Sequence, residues 1–375
     1  MARYVPEEVV VKILSRLPPK SLIRFKSVSK RWQALIGNPD FLSKNLLNHS
    51  IITQSSSDPL RHIIFFARDK YDPGTQIHSF RSYDSLHCAS QAPLNLPPAP
   101  TFDIVASCNG MLCLWAYVPS DVYLWNPATS SELKALPAAS SHRRRAADVY
   151  QVGFGFDSRS NDFKVVRLLH FVDGAGTRWY EEEIYSLRCG SWRQLDLSVA
   201  FGIYVDSRRA ALDGVFLWYL DYGYEEHPVD EDKEIIVAFD FSDEEFRTML
   251  FLDARFFRDY GQCTRTVTEL KGSLAMFVFP CRKKNMHLDI WVMLEFGVRE
   301  SWTRLLSIGF PLHLERPLGF WKNGELFIVN RERHLVLYDV LAQTETNLQF
   351  EGSREFQVVD YKLSSALING GEDNP

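Results

Sequence analysis

Large apolar residues recur at helical spacing within the first forty residues of the chain. The pattern predicts three short helices. Their apolar residues are Val9, Ile13, Leu14 and Leu17 in the first helix, Leu22 and Phe25 in the second, and Val28, Trp32, Leu35 and Ile36 in the third. Pro18 ends the first helix and Gly37 ends the third, because proline cannot continue a helix and glycine favours helix C-termini. Three helices this short cannot bury so many large side chains among themselves. The excess apolar surface therefore predicts a protein partner.

After residue 62 the pattern changes to pairs of short apolar and aromatic segments separated by turns. The first segments span 110–115, 162–167, 214–218, 272–277 and 324–329, and their partners span 122–126, 184–187, 236–240, 290–293 and 335–339. A less regular pair covers 63–66 and 77–83. Asn126, Asp240 and Asp339 each follow an aromatic residue and predict turns, since their side chains accept hydrogen bonds from nearby backbone amides. Successive turns lie roughly forty to sixty residues apart, which is the size of a four-stranded propeller blade.

The predicted fold is a small all-α module of three helices followed by a large all-β domain. That domain is expected to be an irregular β-propeller of about six blades, with a β-sandwich as the alternative. The expected boundaries are 1–44 for the helical module, 45–62 for a linker, 63–365 for the β-domain and 366–375 for a C-terminal tail. The aromatic content of 13% agrees with a β-rich body, where aromatic side chains pack well.

Charge is distributed unevenly along the chain. Residues 1–44 contain nine Lys/Arg against three Asp/Glu, and since the whole chain has a net charge of −5, the rest carries −11. A basic module beside an acidic body predicts an acidic protein partner for the helices. Nucleic acid is not expected as a partner, because the basic residues alternate with the apolar stripe and do not flank aromatic platforms.

No secretory signal or membrane-spanning run is evident, so the expected compartment is the cytoplasm and no membrane partner is expected. The triplet Arg143–Arg145 is interpreted as a solvated loop, with contact to an acidic target or a weak nuclear signal as alternatives. The acidic stretch 225–234 is likewise interpreted as a solvated loop, with a basic substrate as the alternative.

The cysteines show no metal-binding spacing and are expected to be mostly buried and reduced. They are Cys88, Cys108, Cys113, Cys189, Cys263 and Cys281.

The chain has none of the sequence motifs of common enzyme classes. It contains no Gly-x-Ser-x-Gly elbow, no phosphate-binding loop and no His-Glu-x-x-His. The Gly153–Gly155 segment is a fragment of a dinucleotide fingerprint at best and is interpreted as a turn between strands. The pair Glu244-Glu245 is expected on an exposed turn facing solvent. The sequence therefore predicts a protein with no catalytic residues, no cofactor and no metal.

Several N-terminal residues are arranged as in a known family. They are Val5-Pro6, Ile13–Pro18, Lys20-Ser21-Leu22, Val28-Ser29-Lys30 and Trp32. This arrangement resembles the F-box, from which it departs by Val5 in place of leucine and Ser29 in place of cysteine. The resemblance implies docking on a Skp1-type adaptor and, through it, on a cullin. The residues expected at the adaptor contact are Pro6, Ile13, Leu14, Leu17, Pro18, Leu22, Val28, Lys30 and Trp32. For Ile13 and Val28 the alternative is the core of the helical module itself, and for the whole module it is a cap on the β-domain.

The body of the chain contains a second family pattern. Its elements are Cys108-Asn109-Gly110, 125–129, 153–157, 162–166, 290–293, Ser301-Trp302-Thr303 and 317–321. In this order they resemble the plant F-box-associated domain (type 1, kelch-related), which is similar to that of S-locus F-box proteins. Together the resemblances imply a non-catalytic substrate receptor of a Skp1–cullin–F-box ubiquitin ligase that binds a target through β-domain loops. The target and its contact residues are not given by the sequence. The alternative is a lectin-like or scaffold module without a ligase role.

Overall fold

The structure is a computed structural model that describes most of the β-domain and part of the N-terminal module. The described residues are 7–14, 25, 28–36, 60–72, 75–87, 102–117, 120–128, 133–137, 148–172, 177–195, 208–220, 235–251, 263–280, 287–309, 311, 313–322, 324–340, 342–353 and 355–364. They fall into two compact units. One comprises Met1–Ser57, Pro228–Glu234 and Met249–Gln349, and the other comprises Asp58–His227, Ile235–Thr248 and Phe350–Pro375.

Two helices lie in the described part of the N-terminal module. They are α1 (Glu7–Leu14) and α2 (Lys30–Ile36). The second predicted helix lies outside the described residues except for Phe25, whose backbone is helical. The start predicted for the third helix was wrong: Val28 lies in the preceding turn, and the helix begins at Lys30. The physical reason is that the Ser29 hydroxyl accepts a hydrogen bond from the Trp32 backbone amide at 3.1 Å, as an N-cap residue does.

The rest of the described chain consists of short β-strands. In the N-terminal half they are β1 (Arg61–Arg68), β2 (Gln76–Ser82), β3 (Phe102–Cys108), β4 (Met111–Tyr117), β5 (Ser120–Trp125), β6 (Lys134–Ala135), β7 (Asp148–Asp157), β8 (Asp162–Val172), β9 (Arg178–Ser186), β10 (Ser191–Leu195) and β11 (Arg208–Leu212). They continue as β12 (Val215–Leu220), β13 (Ile235–Asp240), β14 (Glu245–Leu250), β15 (Cys263–Leu270), β16 (Ser273–Pro280), β17 (His287–Met293), β18 (Trp302–Gly309), β19 (Leu314–Phe320), β20 (Leu326–Asn330), β21 (His334–Asp339), β22 (Thr344–Glu351) and β23 (Gln357–Lys362). A single 3₁₀ turn, Arg299–Ser301, precedes β18.

The strands form six sheets among the described residues. Five are four-stranded and follow the chain, β3–β6, β7–β10, β11–β14, β15–β18 and β19–β22, and the sixth has the order β2-β1-β23. In the sixth sheet, the last strand pairs with the first, Ile63 opposite Asp360 and Phe65 opposite Val358. Consecutive four-stranded sheets with a last sheet closed by both ends of the β-domain are the topology of a six-bladed β-propeller. This confirms the predicted propeller, and the β-sandwich alternative was wrong because its strands would belong to two sheets.

The central strands are buried along most of their length, whereas fourth strands such as β10 are largely exposed. β13 is buried at four consecutive positions and β20 at all five, while β10 is buried only at its second and fifth residues. Central strands have side chains packed on both faces, so their sequences become continuous apolar runs. One core cluster in the second unit combines residues of the β3–β6, β7–β10 and β11–β14 sheets. The prediction of paired apolar segments is therefore confirmed.

Two glycines in β7 lie where the neighbouring sheet packs most closely. A Cβ atom at Gly153 would lie 2.7 Å from Trp218 Cζ2, and one at Gly155 would lie 2.3 Å from Phe241 Cδ2. The prediction that Gly153–Gly155 forms a turn was wrong, because both residues lie inside the strand. These positions are glycine because the aromatic rings of the next sheet occupy the side-chain space.

The C-terminal strand is fixed to the β3–β6 sheet by a buried asparagine. The Tyr361 hydroxyl donates to Asn126 Oδ1 at 2.9 Å, and Asn126 Nδ2 donates to the Ser364 carbonyl at 3.0 Å. Asn126 Oδ1 also accepts from the Ala128 amide at 2.9 Å, which closes the predicted turn. Gly110 has φ +82°, and a Cβ there would lie 2.3 Å from Ser364 Cβ. Close backbone approach and left-handed conformation both require glycine at this position.

Candidate functional site

The helices of the N-terminal module pack around one leucine. Leu14 is 2% exposed and is the buried centre of a cluster. The partly buried residues around it are Val10, Val11, Phe25, Trp32 and Leu35. The rings of Phe25 and Trp32 meet edge to face with centroids 5.6 Å apart. Leu14 and Trp32 therefore hold α1 against α2, and apolar residues on other faces of these helices are left to solvent.

Three large apolar side chains of the module are exposed. Val9 is 43% exposed, Ile13 is 56% exposed and Val28 is 58% exposed. Val9 and Ile13 are four residues apart and share one side of α1. Because the side chains of Ile13 and Val28 are more than half exposed, they do not fill the core of the module. These three exposed side chains are part of the excess apolar area that the sequence predicts, and together they are called the open face below.

The predicted contact residues fall into three groups. Ile13, Val28 and Lys30 are exposed, whereas Leu14 is buried and Trp32 is half-buried. Pro6, Leu17, Pro18 and Leu22 lie outside the described residues. The open face adds Val9, which the sequence analysis placed on the apolar stripe without assigning it to the contact. Its spacing from Ile13 is the signal that could have identified it.

The part of the chain that the structure describes offers no group of three or more His, Cys, Asp or Glu that could hold a metal ion. Four cysteines are described: Cys113 is buried, Cys108 and Cys263 are half-buried and Cys189 is exposed. Burial raises the pKa of the Cys108 thiol to about 11, so this thiol is protonated at neutral pH. Neither described helix is long and apolar enough to cross a membrane.

A buried lysine joins two sheets of the β-domain, a feature that the sequence analysis missed. Lys164 Nζ lies 2.7 Å from Asp157 Oδ2 and 2.9 Å from Glu244 Oε1, and it donates to the Phe241 carbonyl at 3.1 Å. Glu244 also pairs with Arg193. Asp157 and Lys164 belong to the β7–β10 sheet, and Glu244 lies in the turn before β14. The expectation that Glu244 faces solvent was therefore wrong, because two cations hold its carboxylate against the sheet.

The pKa values of this cluster follow from burial and hydrogen bonding. Burial of Asp157 opposes its ionisation, but hydrogen bonds from Lys164, Ser160 and Ser242 outweigh burial and hold its pKa well below the usual range. Burial likewise opposes the charge of Lys164, yet its hydrogen bonds to Asp157 and Glu244 raise its pKa. All three groups are therefore charged at neutral pH, and each charge has a partner.

A second buried ion pair lies within the β7–β10 sheet. Arg167 donates through Nη2 and Nε to Glu183 Oε2 at 2.6 and 3.0 Å, and the guanidinium lies 3.6 Å from the centroid of the Trp192 ring. Trp192 Nε1 donates to the Pro137 carbonyl at 2.7 Å. Burial lowers the pKa of Arg167 from its ordinary value, and Glu183 opposes that effect. These partners are internal to the domain, so the pair orders the sheet.

A helical module with an open apolar face, followed by the sheets of a six-bladed propeller, defines a two-module β-propeller protein. The sequence profile described as "F-box associated beta propeller domain" matches residues 77–365, and that of the F-box domain matches residues 5–44. The chain therefore belongs to the F-box proteins that have a C-terminal F-box-associated β-propeller domain, and it resembles plant members of that family.

Three similar curated proteins from Arabidopsis thaliana have the following identities and coverages. The F-box/kelch-repeat protein At3g23880 is 30% identical over 347 residues, covering 89% of this chain and 87% of that protein. The F-box protein At3g07870 is 28% identical over 93% of this chain and 88% of its own length. The F-box protein CPR1 is 26% identical over 97% of this chain and 89% of its own length. Both modules are thus shared with relatives of the same organisation.

Proposed function

We propose that this protein is the substrate-recognition subunit of a Skp1–cullin–F-box ubiquitin ligase. Its N-terminal helices bind a Skp1-type adaptor, and its β-propeller binds the protein to be ubiquitinated. The observation that supports this most directly is the open face, because Val9, Ile13 and Val28 are exposed in a module that matches the F-box. Several large apolar side chains exposed on one small module favour a protein partner.

The charge of the module supports the same partner class. Residues 1–44 carry a net charge of +6, and Lys30 and Arg31 are exposed at the start of α2. An adaptor with an acidic surface would be attracted at long range and would then bury the open face. Complementary charge accelerates the encounter, and burial of apolar side chains supplies most of the affinity.

In this proposal the protein positions the target next to the ligase and does not itself catalyse a reaction. A receptor that holds a target next to a ligase raises the effective concentration of the target lysines. The proposal requires no cofactor and no catalytic residue of this chain. The propeller presents loops between its strands, and loops on a rigid scaffold are the usual positions for recognition.

The test is the affinity of a purified Skp1-type adaptor for the full chain and for the variant Ile13→Ala/Val28→Ala. Both residues are exposed, so the variant should fold normally and lose at least about tenfold in affinity for each residue. The matched control is Leu60→Ala/Phe296→Ala, which removes two apolar side chains outside the helical module that are 47% and 44% exposed. This control should bind the adaptor as the unmodified chain does.

A second variant extends the test to residues outside the described part of the chain. Leu17→Ala/Pro18→Ala should abolish co-purification with the adaptor while the β-domain stays folded. Unchanged adaptor binding in both double variants would refute the proposal. A glycan array with the adaptor absent examines the lectin-like alternative, which predicts glycan binding that does not depend on these residues.

A further inference from the structure

Four exposed arginines lie together on the β-domain. Arg159 follows β7, Arg188 follows β9, Arg193 lies in β10 and Arg247 lies in β14. The side chains of Arg159, Arg193 and Arg247 are 67%, 59% and 54% exposed, and Arg188 is also exposed. These four residues are called the arginine surface below. They lie on an acidic body, since the chain outside residues 1–44 has a net charge of −11.

Shared carboxylates bring the arginines close together. Asp243 accepts from Arg159 through Oδ1 at 2.7 Å and from Arg247 through Oδ2 at 2.9 Å. The neighbouring carboxylate, Glu244, pairs with Arg193 on one oxygen and with Lys164 on the other. Since Asp243 and Glu244 are consecutive in one turn, the guanidinium groups that they hold belong to a continuous surface.

Arg188 extends this surface along the turn after β7. Its Nη1 donates to the Ser160 carbonyl at 3.2 Å, and Ser160 is the residue next to Arg159. The turn itself is fixed, because the Ser160 hydroxyl and the Arg159 amide both donate to Asp157. The backbone under two of the arginines is therefore rigid.

The arginine side chains are more exposed to solvent than the carboxylates that pair with them. The side chains of Asp243 and Glu244 are 30% and 26% exposed, about half the exposure of their arginine partners. Glu245, at 62%, is more exposed than either of them. A guanidinium has five N–H donors, and each of the contacts named above uses one nitrogen of its arginine. Outward, the surface therefore offers mainly hydrogen-bond donors with positive charge.

The arrangement is pre-organised by buried groups. Lys164 and Asp157 fix Glu244 from beneath, and Asp240 accepts from the Ser242 and Asp243 amides at 2.9 and 3.0 Å. Exposed ion pairs alone contribute little stability, typically about 0–1 kcal/mol. Donors that are already oriented lose less entropy when they bind a ligand. The arrangement of these arginines therefore favours a role in binding a ligand over a role in stabilising the fold.

We propose that the arginine surface binds an Asp/Glu-rich segment of the target protein. This inference rests on the proposed function and adds the chemical class of the target. Arginine forks pair with carboxylates in a bidentate geometry. The negative charges of Asp243, Glu244 and Glu245 between the arginines oppose a dense polyanion, whereas carboxylates spaced along an extended segment can reach the cations separately.

The test uses a fluorescein-labelled octapeptide of alternating glutamate and glycine, with an octapeptide of alternating glutamine and glycine as its neutral counterpart. Fluorescence anisotropy with the full chain should show binding of the glutamate peptide that weakens as salt rises. Arg159→Gln/Arg247→Gln should weaken that binding at least tenfold. The matched control is Arg304→Gln/Arg333→Gln, which changes two arginines that are 52% and 38% exposed and paired with carboxylates elsewhere. It should change the affinity less than twofold.

Two outcomes would overturn the inference. One is equal binding of the glutamate and glutamine peptides, and the other is equal loss in the test and control variants. Thermal unfolding of each variant checks that the fold is kept. The adaptor affinity of the same proteins separates the two proposals. If the unmodified chain binds the adaptor but does not distinguish the two peptides, this inference alone is wrong. If the unmodified chain does not bind the adaptor, the proposed function is wrong.

Discussion

At the scale of single residues, Lys164 is a buried charge whose stability depends on its partners. Its side chain is 10% exposed and that of Asp157 is 4% exposed, so both charges have lost most of their hydration. Two carboxylates and a backbone carbonyl replace that hydration. Such a cluster ties two sheets together only while all its members are present.

Replacing Lys164 by methionine should destabilise the protein by about 3–5 kcal/mol at pH 7, because Asp157 would keep a buried charge without its partner. Urea unfolding measures this loss. The matched control is Lys70→Met: Lys70 is 40% exposed and 3.9 Å from Glu351, and its loss should cost no more than about 1 kcal/mol. Equal effects of the two substitutions would contradict the account.

The same cluster predicts a direction for the pH dependence. The pKa values of Asp157 and Glu244 are lowered in the folded chain, so the stability that they contribute is present above about pH 4 and is lost as the pH falls. In Lys164→Met, Asp157 should become neutral more readily. The difference in unfolding free energy between the two proteins should therefore shrink on acidification. A constant or growing difference would disprove this assignment.

Gly155 provides a prediction about packing. An alanine there would place its Cβ 2.3 Å from Phe241 Cδ2, and overpacking of this kind costs about 1–3 kcal/mol. Gly309→Ala is the matched control in β18, since no atom lies within 4 Å of its added Cβ. Thermal unfolding should show a lower melting temperature for Gly155→Ala alone. A similar melting temperature for both variants would count against close packing at Gly155.

At the scale of elements, Ser29, one of the two residues that depart from the F-box consensus, has a local role. Ser29 caps α2, and serine is a much better N-cap than the alanine that replaces it in a test variant. Ser29→Ala should cost about 1 kcal/mol in helix stability. Amide hydrogen exchange should accelerate at Trp32, whose amide loses its acceptor, and stay unchanged in β13. Unchanged exchange at Trp32 would show that the cap does not stabilise α2.

The sequence was informative about elements whose burial is nearly complete. Central strands such as β12 and β20 are continuous apolar runs, so their positions were predicted to within a few residues. The outer strands are harder to delimit from sequence: β6 consists only of Lys134–Ala135. Edge strands have one solvated side, and their composition constrains their ends weakly.

The candidate site could be predicted in outline from apolar spacing. Periodicity identified α1 and its stripe, but it could not tell which side of the stripe is buried, so Leu14 and Ile13 were assigned to one surface. Val28 was placed inside a helix because its spacing from Trp32 is helical, although the Ser29 cap starts the helix later. The arginine surface could not be predicted, since its members are brought together partly by contacts between residues far apart in sequence, such as Arg193 with Glu244, 51 positions away.

At the scale of the whole molecule, two features organise the chain. The β2-β1-β23 sheet joins strands that are nearly 300 residues apart in sequence, and Asn126 and Tyr361 secure the C-terminal strand. Bringing together strands that are so far apart in sequence has a high cost in chain entropy. The N-terminal module, by contrast, is held by local contacts around Leu14. In the proposed function, the β-domain recognises the target and the helices dock on the adaptor.

The central claim is that the open face is uncovered in the free protein and covered by the adaptor. Carbene footprinting with mass spectrometry measures this directly on the full chain, with and without a purified Skp1-type adaptor. Val9, Ile13 and Val28 should be labelled in the free protein and protected in the complex, while Leu14 stays unlabelled in both and the exposed Tyr71 stays labelled in both. Equal labelling of the open face with and without adaptor, or no labelling in the free chain, would contradict the account.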